Sequence, residues 1–435
     1  MTKKTKDMAS GFLISKRARA FLAGLVIAGA LPLSAIAVES AATQASAPSE
    51  GKTQPGKVTV LDYALELSEI LPAEKEGSWF QPRPVAIPLP GGRMRVVMTI
   101  QKALGSDFFS GLSTMRSDDL GKTWSAPRVD PGLGWRPLEG GDNMGICDVT
   151  LGWHAPSGKV IGIGHSVRYT KKGFGGIEHK RDTTWISYDP ATDQWSPWKI
   201  LALPEQADNR YFINAVHGQW LVEPNGSMLV PFYALAKELA TPKWTFAFRG
   251  AVARLKFEGG ELSYVESGRE ILHSVPRGLY EKSLTWFRGR YYMTMRNDQK
   301  AYVTVSDDGL NFEPIRAWTF DDGTELGSYN TQQKWATHSD GLFLVYTRRG
   351  ANNDHIPRNR APLFIAQVDP VTLQVIRSTE RIAVPERGVD IGNFDATAIT
   401  ADETWITTAG TVKSSPAYLA RIRWAKPNKL LGRVH

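Results

Sequence analysis

The feature that most constrains this chain is a unit that recurs six times. In each copy a polar residue opens a strand-like stretch, a Gly/Asp/Asn turn follows, and an apolar return strand closes it. The copies are PRPVAIPLPGGRMRVVMT from Pro82, CDVTLGWHAPSGKVIGIGH from Cys147, NAVHGQWLVEPNGSMLVPFY from Asn214, EKSLTWFRGRYYMTMRN from Glu281, NTQQKWATHSDGLFLVYTRR from Asn330 and FDATAITADETWITTAG from Phe394. β-Branched and aromatic residues split by PGG, SG, NG, RG or DG are the mark of hairpins. The leading polar residues Arg83, Asp148, Asn214, Glu281, Asn330 and Asp395 stand 65, 66, 67, 49 and 65 positions apart. Near-even spacing with no helical periodicity between copies is what radial repetition of four-stranded blades produces, whereas a β-sandwich has no need of it. The sequence therefore predicts an all-β fold, a six-bladed β-propeller with four antiparallel strands per blade.

The N-terminus reads differently. Lys3, Lys4, Lys6, Lys16, Arg17 and Arg19 lead into the apolar run from Phe21 to Leu33, and Ala35-Ile36-Ala37 follows. That order predicts a signal peptide over 1–37, since a run of about 13 apolar residues is short for a membrane span. Residues 38–57 are Ala, Ser, Thr, Gln, Gly and Pro with few large apolar side chains, which predicts a flexible linker. The rest, 58–435, shows no second linker and is expected to be one domain, exported to the periplasm or beyond. A single cysteine, Cys147, leaves no intrachain disulfide, so a large packed core must hold the fold and the thiol reads as part of it.

The net charge of +8 comes partly from the leader. The modest remainder suits an acidic glycan better than nucleic acid, because no Lys/Arg blocks with interleaved aromatics occur. The histidines show no H-E-x-x-H or C-x-x-C spacing, so the sequence points to no metal and no cofactor.

A second recurring pattern is local. Ser117-Asp118-Asp119-Leu120-Gly121-Lys122-Thr123-Trp124 has the form S-x-D-x-G-x-T-W; Ser306 to Phe312 is a shortened copy, and Ser187-Tyr188-Asp189 with Trp195 a degenerate one. Asp and Ser side chains there should bond the backbone of a tight turn, with Gly at positive φ and the aromatic packed beneath. Such turns close third strands, so they should lie on the face away from the strand starts.

The strand starts share one rim with the hairpin ends Gln101, His165, Tyr233, Arg296 and Arg348. That rim collects guanidinium groups (Arg83, Arg296, Arg348), carboxylates (Asp148, Glu281, Asp395), an imidazole (His165) and a phenol (Tyr233), and predicts a ligand funnel. Glu281 and Arg296 open and close one hairpin and should be neighbours. Two loops add to the same rim: GSDFFSG with Asp107, and RRGANNDHIPRNRAP with His355, Arg358 and Arg360. Several arginines there suit an anionic sugar, because planar guanidinium binds carboxylate bidentately.

These residues resemble exo-α-sialidases. S-x-D-x-G-x-T-W is the Asp box of that superfamily, PRPVAIPLPGGR looks like its R-I-P strand, and YEKSLTWFRGRYYMTMRN resembles its segment with a catalytic glutamate and an arginine. The resemblance implies a carboxylate-binding arginine triad at Arg83, Arg296 and Arg360 with Arg358 close by, a catalytic glutamate at Glu281 and an acid/base aspartate at Asp107. The chain departs from it at Gly392-Asn393-Phe394-Asp395, where sialidases place a tyrosine nucleophile and this sequence has Phe394; Tyr329 is the substitute at hand. The chain also looks like bacterial exported proteins labelled sialidase-like.

Three functions follow. A glycoside hydrolase would use Asp107 as proton donor and Glu281 to activate Tyr329 or a water. A polysaccharide lyase would neutralise a uronate with arginines and remove its α-proton with His165 and Tyr233 or Tyr169. A non-catalytic propeller would bind glycans through rim aromatics such as Trp153, Phe108 and Phe109.

Overall fold

The computed structural model describes residues 58–74, 77–176, 179–203, 210–214, 218–236, 247–410 and 415–431, with the backbone alone for 210–214 and 236. The leader and linker expected over 1–57 lie outside the described residues. Every recurring unit holds an antiparallel pair: Ser78–Pro88 with Met94–Gly105, Asn143–His154 with Lys159–Thr170, Leu221–Val222 with Met228–Ala236 (which Arg210–Asn214, ending where the unit begins, also pairs), Tyr280–Phe287 with Arg290–Arg296, Lys334–His338 with Gly341–Tyr346, and Asp395–Ala398 with Glu403–Ala409. Among the described residues the strands form six sheets, each containing one of these pairs and antiparallel throughout except where Ala247–Glu258 pairs in parallel with Arg277–Gly278.

Apolar alternation then fixes how the sheets meet. One buried cluster joins Val85 and Ile87 of the first sheet to Ile146 and Leu151 of the second, and another joins Ile163 and Trp185 to Val230 and Phe232 of the third. Leu229 and Val252 pack on Leu284 and Met293 of the fourth, whose Phe287 and Val303 pack on Trp335 and Leu344 of the fifth. Ala336 and Val345 meet Phe394 and Ile406 of the sixth, and Trp405 with Leu419 returns to Val96 and Met98 of the first. The contacts close a ring, the arrangement of a β-propeller. Each fully buried Leu, Ile or Phe adds about 1.5–3 kcal/mol, so the inter-sheet layers carry the stability that no disulfide supplies.

The ring is fastened by a pairing distant in sequence. Tyr63–Leu71 lies against Ala417–Trp424, so the first strand of the domain completes the last sheet. Inside the ring, Gln219 donates to the carbonyls of Trp335 and Ala396 at 2.9 Å each and accepts from the Trp335 N–H at 2.6 Å. These are the second residues of their strands, so the side chain ties inner strands together just below the rim.

Three inner strands are bulged at matching places, between Phe80 and Arg83, Cys147 and Thr150, and Tyr280 and Ser283. Each bulge holds a non-glycine residue at positive φ: Gln81 at 53°, Asp148 at 59° and Glu281 at 44°. Such backbone costs about 1–3 kcal/mol per residue and re-aims the side chain off the regular alternation.

The polar turns sit at the other end of the strands. Ser117 pairs with Val96 beside the Pro90–Gly92 turn, whereas the bulged end pairs Phe80 with Gln101. Ser117 donates to Asp119 Oδ1 at 2.8 Å and accepts from the Gly121 N–H at 2.7 Å; Asp119 accepts from the Thr123 N–H at 2.9 Å and its hydroxyl at 2.7 Å. Gly121 has φ +71°, and Trp124 lies edge-on to Trp405. Asp308 repeats this, accepting from the N–H groups of Leu310 and Asn311 at 2.9 and 2.7 Å. A fourth turn, unremarked in the sequence, is built on Asp369, which accepts from the Val371 N–H at 2.8 Å.

Candidate functional site

The bulges re-aim side chains at the rim. In the fourth sheet Glu281 is turned to meet Arg296, whose Nη1 donates to both carboxylate oxygens at 2.7 and 2.6 Å. Arg296 Nη2 donates to Asn330 Oδ1 at 2.7 Å, and its guanidinium lies 4.6 Å from the Tyr280 ring centroid. Arg360 reaches the same asparagine from the next sheet, with Nε and Nη2 donating to the Asn330 carbonyl at 3.1 and 2.6 Å. It also pairs with Asp390 at 3.4 Å. Burial makes the Arg360 guanidinium easier to deprotonate than usual, and the positive charges of Arg296 and Arg358 add to that. Gly392 makes the packing possible, since a Cβ there would stand 2.6 Å from Arg360 Cδ.

The second sheet supplies the opposite wall. His165 Nε2 lies 2.9 Å from Asp148 Oδ2 and 3.2 Å from Cys147 Sγ, and Nδ1 lies 3.0 Å from the Ser166 carbonyl. Gln81 Nε2 donates to Asp148 Oδ1. Burial pushes the Cys147 thiol well up, with the negative charges of Asp148 and Asp107 adding to the shift and Arg181 opposing it. Burial raises the Tyr233 phenol well above the usual value, with further upward pushes from Glu281 and Asp148 and downward ones from Arg181 and Arg277. Arg181 and Arg277 thus act electrostatically on Tyr233, although neither opens or closes a repeat.

Other expected site residues sit differently. Arg83 is 1% exposed; its Nη1 donates to the Phe394 carbonyl at 2.5 Å and lies 3.4 Å from Asp395, which Lys334 also approaches at 3.3 Å. The bulge explains this, because it brings Gln81 rather than Arg83 to the place that Asp148 and Glu281 hold in their strands. Burial drops Lys334 to about 8 despite Asp395. Tyr329 donates its hydroxyl to Asn359 Oδ1 at 2.7 Å, and Arg349 covers its ring. Phe394 is fully buried in the core between the fifth and sixth sheets. Arg348 is clamped by Glu380 through Nε at 2.8 Å and Nη2 at 2.7 Å, a structural pair. His355 is exposed and 3.5 Å from Glu386. Arg358 and Asp107 are exposed, at φ +58° and +51°.

No protein-family model matches the chain, and no curated protein matches it. Among solved structures it is similar to a sialidase of Trypanosoma rangeli, at 13% identity over 83% of this chain and 60% of that one, with a TM-score of 0.57. A Hadza microbial sialidase aligns at 12% identity over 83% and 68%, with a TM-score of 0.55. A protein of unknown function from Dyadobacter fermentans aligns at 11% identity over 83% and 99%, with a TM-score of 0.52. The chain spans 60% of the T. rangeli enzyme's length. These likenesses show a sialidase-like fold. No helix among the described residues is long and apolar enough to cross a membrane.

Proposed function

We propose that the protein is an exported carbohydrate-active enzyme, a glycoside hydrolase of sialidase type acting on a carboxylated sugar. Its six sheets are read as the blades of one propeller over 58–435, preceded by a cleaved leader and a linker. The observation that carries the reading is the pair of guanidinium groups, Arg296 and Arg360, fastened to one asparagine from adjacent sheets. With Arg358 they bring three positive charges against the carboxylates of Glu281 and Asp390, and an anionic group completes the balance. Arg83 is left out of the ligand set because it is sealed against Asp395.

The chemistry then divides between two carboxyl groups. Asp107, on the exposed loop, gives a proton to the leaving oxygen as the glycosidic C–O bond breaks. Water attacks the anomeric carbon and gives its proton to Glu281, the carboxylate held by Arg296. Water fills the nucleophile's role because Tyr329 is turned to Asn359 and Phe394 is buried.

Elimination is the second reading, supported by the turn of Tyr329 to Asn359 and by the Tyr233 phenol, which feels the charges of both Glu281 and Asp148. Against it, both nitrogens of His165 are engaged. Incubation with sialosides and uronic-acid glycans, followed by product masses, separates the readings: hydrolysis adds the mass of water across the products, elimination does not. Glu281→Gln should lower hydrolysis about 10²–10⁴-fold. Unchanged turnover in that variant overturns the reading, and glycan binding with no product from the wild type leaves a binding propeller.

A further inference from the structure

We infer that Cys147, Asp148 and His165 form a binding site for a divalent cation of the zinc class, opening on the funnel. All three donor atoms lie within 4.8 Å of one another. The juxtaposition is not one a regular strand gives. Consecutive residues of a strand point to opposite faces, yet Cys147 and Asp148 both reach His165 Nε2, at 3.2 and 2.9 Å, because the bulge holds Asp148 at φ +59°.

The hydrogen-bond directions suit a cation there. The Ser166 carbonyl can only accept, so the His165 hydrogen sits on Nδ1, 3.0 Å away. That leaves the Nε2 lone pair aimed at a carboxylate oxygen. A lone pair facing a carboxylate at this distance is repulsive unless a proton or a metal lies between them. An imidazole whose far nitrogen is anchored to a backbone carbonyl is the usual outer support of a metal ligand. Gln81 does the same for Asp148, donating to its Oδ1.

The donor set chooses the ion. Thiolate and imidazole select zinc over calcium or magnesium, which prefer oxygen alone. Tetrahedral zinc asks for S to N and N to O separations of about 3.6 and 3.4 Å, so the three side chains spread by about half an ångström on loading. Cys147 and the His165 side chain are each only 2% exposed, whereas that of Asp148 is 11% exposed. The fourth position therefore opens on the Asp148 side, where a water or a sugar hydroxyl can bind. Three protein ligands with one open position is the form that lowers the pKa of a bound water.

The test uses the full folded chain, dialysed against zinc and analysed for metal by mass spectrometry. One equivalent is expected, and cobalt loading should give a thiolate-to-cobalt charge-transfer band. Cys147→Ser should abolish that band, and Cys147→Ser and Asp148→Asn should each weaken zinc affinity at least about 100-fold, with Gln81→Ala weakening it about tenfold. Should the Cys147 variant fail to fold, the wild-type cobalt band and Gln81→Ala decide the matter. A folded wild type that takes up neither metal, a cobalt spectrum without thiolate character, or variants that bind zinc as the wild type does, each overturns the site and leaves a shared proton between His165 and Asp148. None of these readouts depends on the hydrolase reading.

Discussion

The two ends of the propeller handle carboxylates in opposite ways. On the turn face, Asp119 and Asp308 are satisfied by groups within four residues of themselves. On the rim, Glu281 is held by Arg296 fifteen residues on, Asp148 by His165 across a hairpin, and Asp395 by Arg83 more than three hundred residues away. The turn carboxylates close local loops and leave nothing over. Glu281 and Asp148 are buried by the ring and depend on partners that the ring brings, so their charge stays available to a ligand that competes for those partners, whereas Asp395 is sealed with Arg83. Local satisfaction makes a structural feature, and a site needs long-range partners that a ligand can reach.

The largest break in that contrast is Glu281→Ala. It leaves the Arg296 guanidinium buried and uncompensated, which should cost about 3–5 kcal/mol in urea-monitored unfolding. A loss under about 1 kcal/mol shows the pair to be solvated and the contrast false. Next comes Gly392→Ala, which must displace Arg360 or Thr331. Overpacking of this kind costs about 1–3 kcal/mol, and the shift of Arg360 should raise KM for an acidic substrate more than it lowers kcat. An effect on stability alone detaches Arg360 from binding. On the turn face Asp308→Ala should cost about 1 kcal/mol, as loss of a helix cap does, with catalysis untouched.

The smallest effect is one of pH. Bonds from the Thr123 hydroxyl and N–H and from Ser117 pull Asp119 down to about 2. A carboxyl lowered by folding stabilises above its unfolded pKa of about 4 and loses that contribution as pH falls towards 2. Asp119→Asn should flatten that acid limb of the stability curve and leave the rim's pH profile unchanged. An altered activity profile instead ties the two faces together.

How much of this was legible follows the same division. The six hairpins, their turns and the two fuller polar turns are read from neighbours in the chain, and all six hairpins form where the repeats stand. The Glu281–Arg296 contact was legible too, since both ends belong to one hairpin. The burial of Arg83 was not: it depends on a bulge two residues earlier, and bulges at Gln81, Asp148 and Glu281 have no spacing signature. Nor was the polar setting of Cys147, which reads as one more apolar residue in a strand. Arg181 and Arg277 lie outside the repeat units, so only the folded ring brings them to Tyr233.

By itself the sequence determined the all-β class, the hairpins and the turn chemistry, because each rests on residues a few positions apart and on alternation along a strand. The tertiary structure decided which polar residues are sealed and which face the funnel. It also decided that Tyr63–Leu71 closes the ring on Ala417–Trp424, and that Tyr329 turns to Asn359 rather than to Glu281. Those outcomes depend on one or two bulged residues and on sheets meeting across the ring, where a change of one position moves a side chain from water into the core.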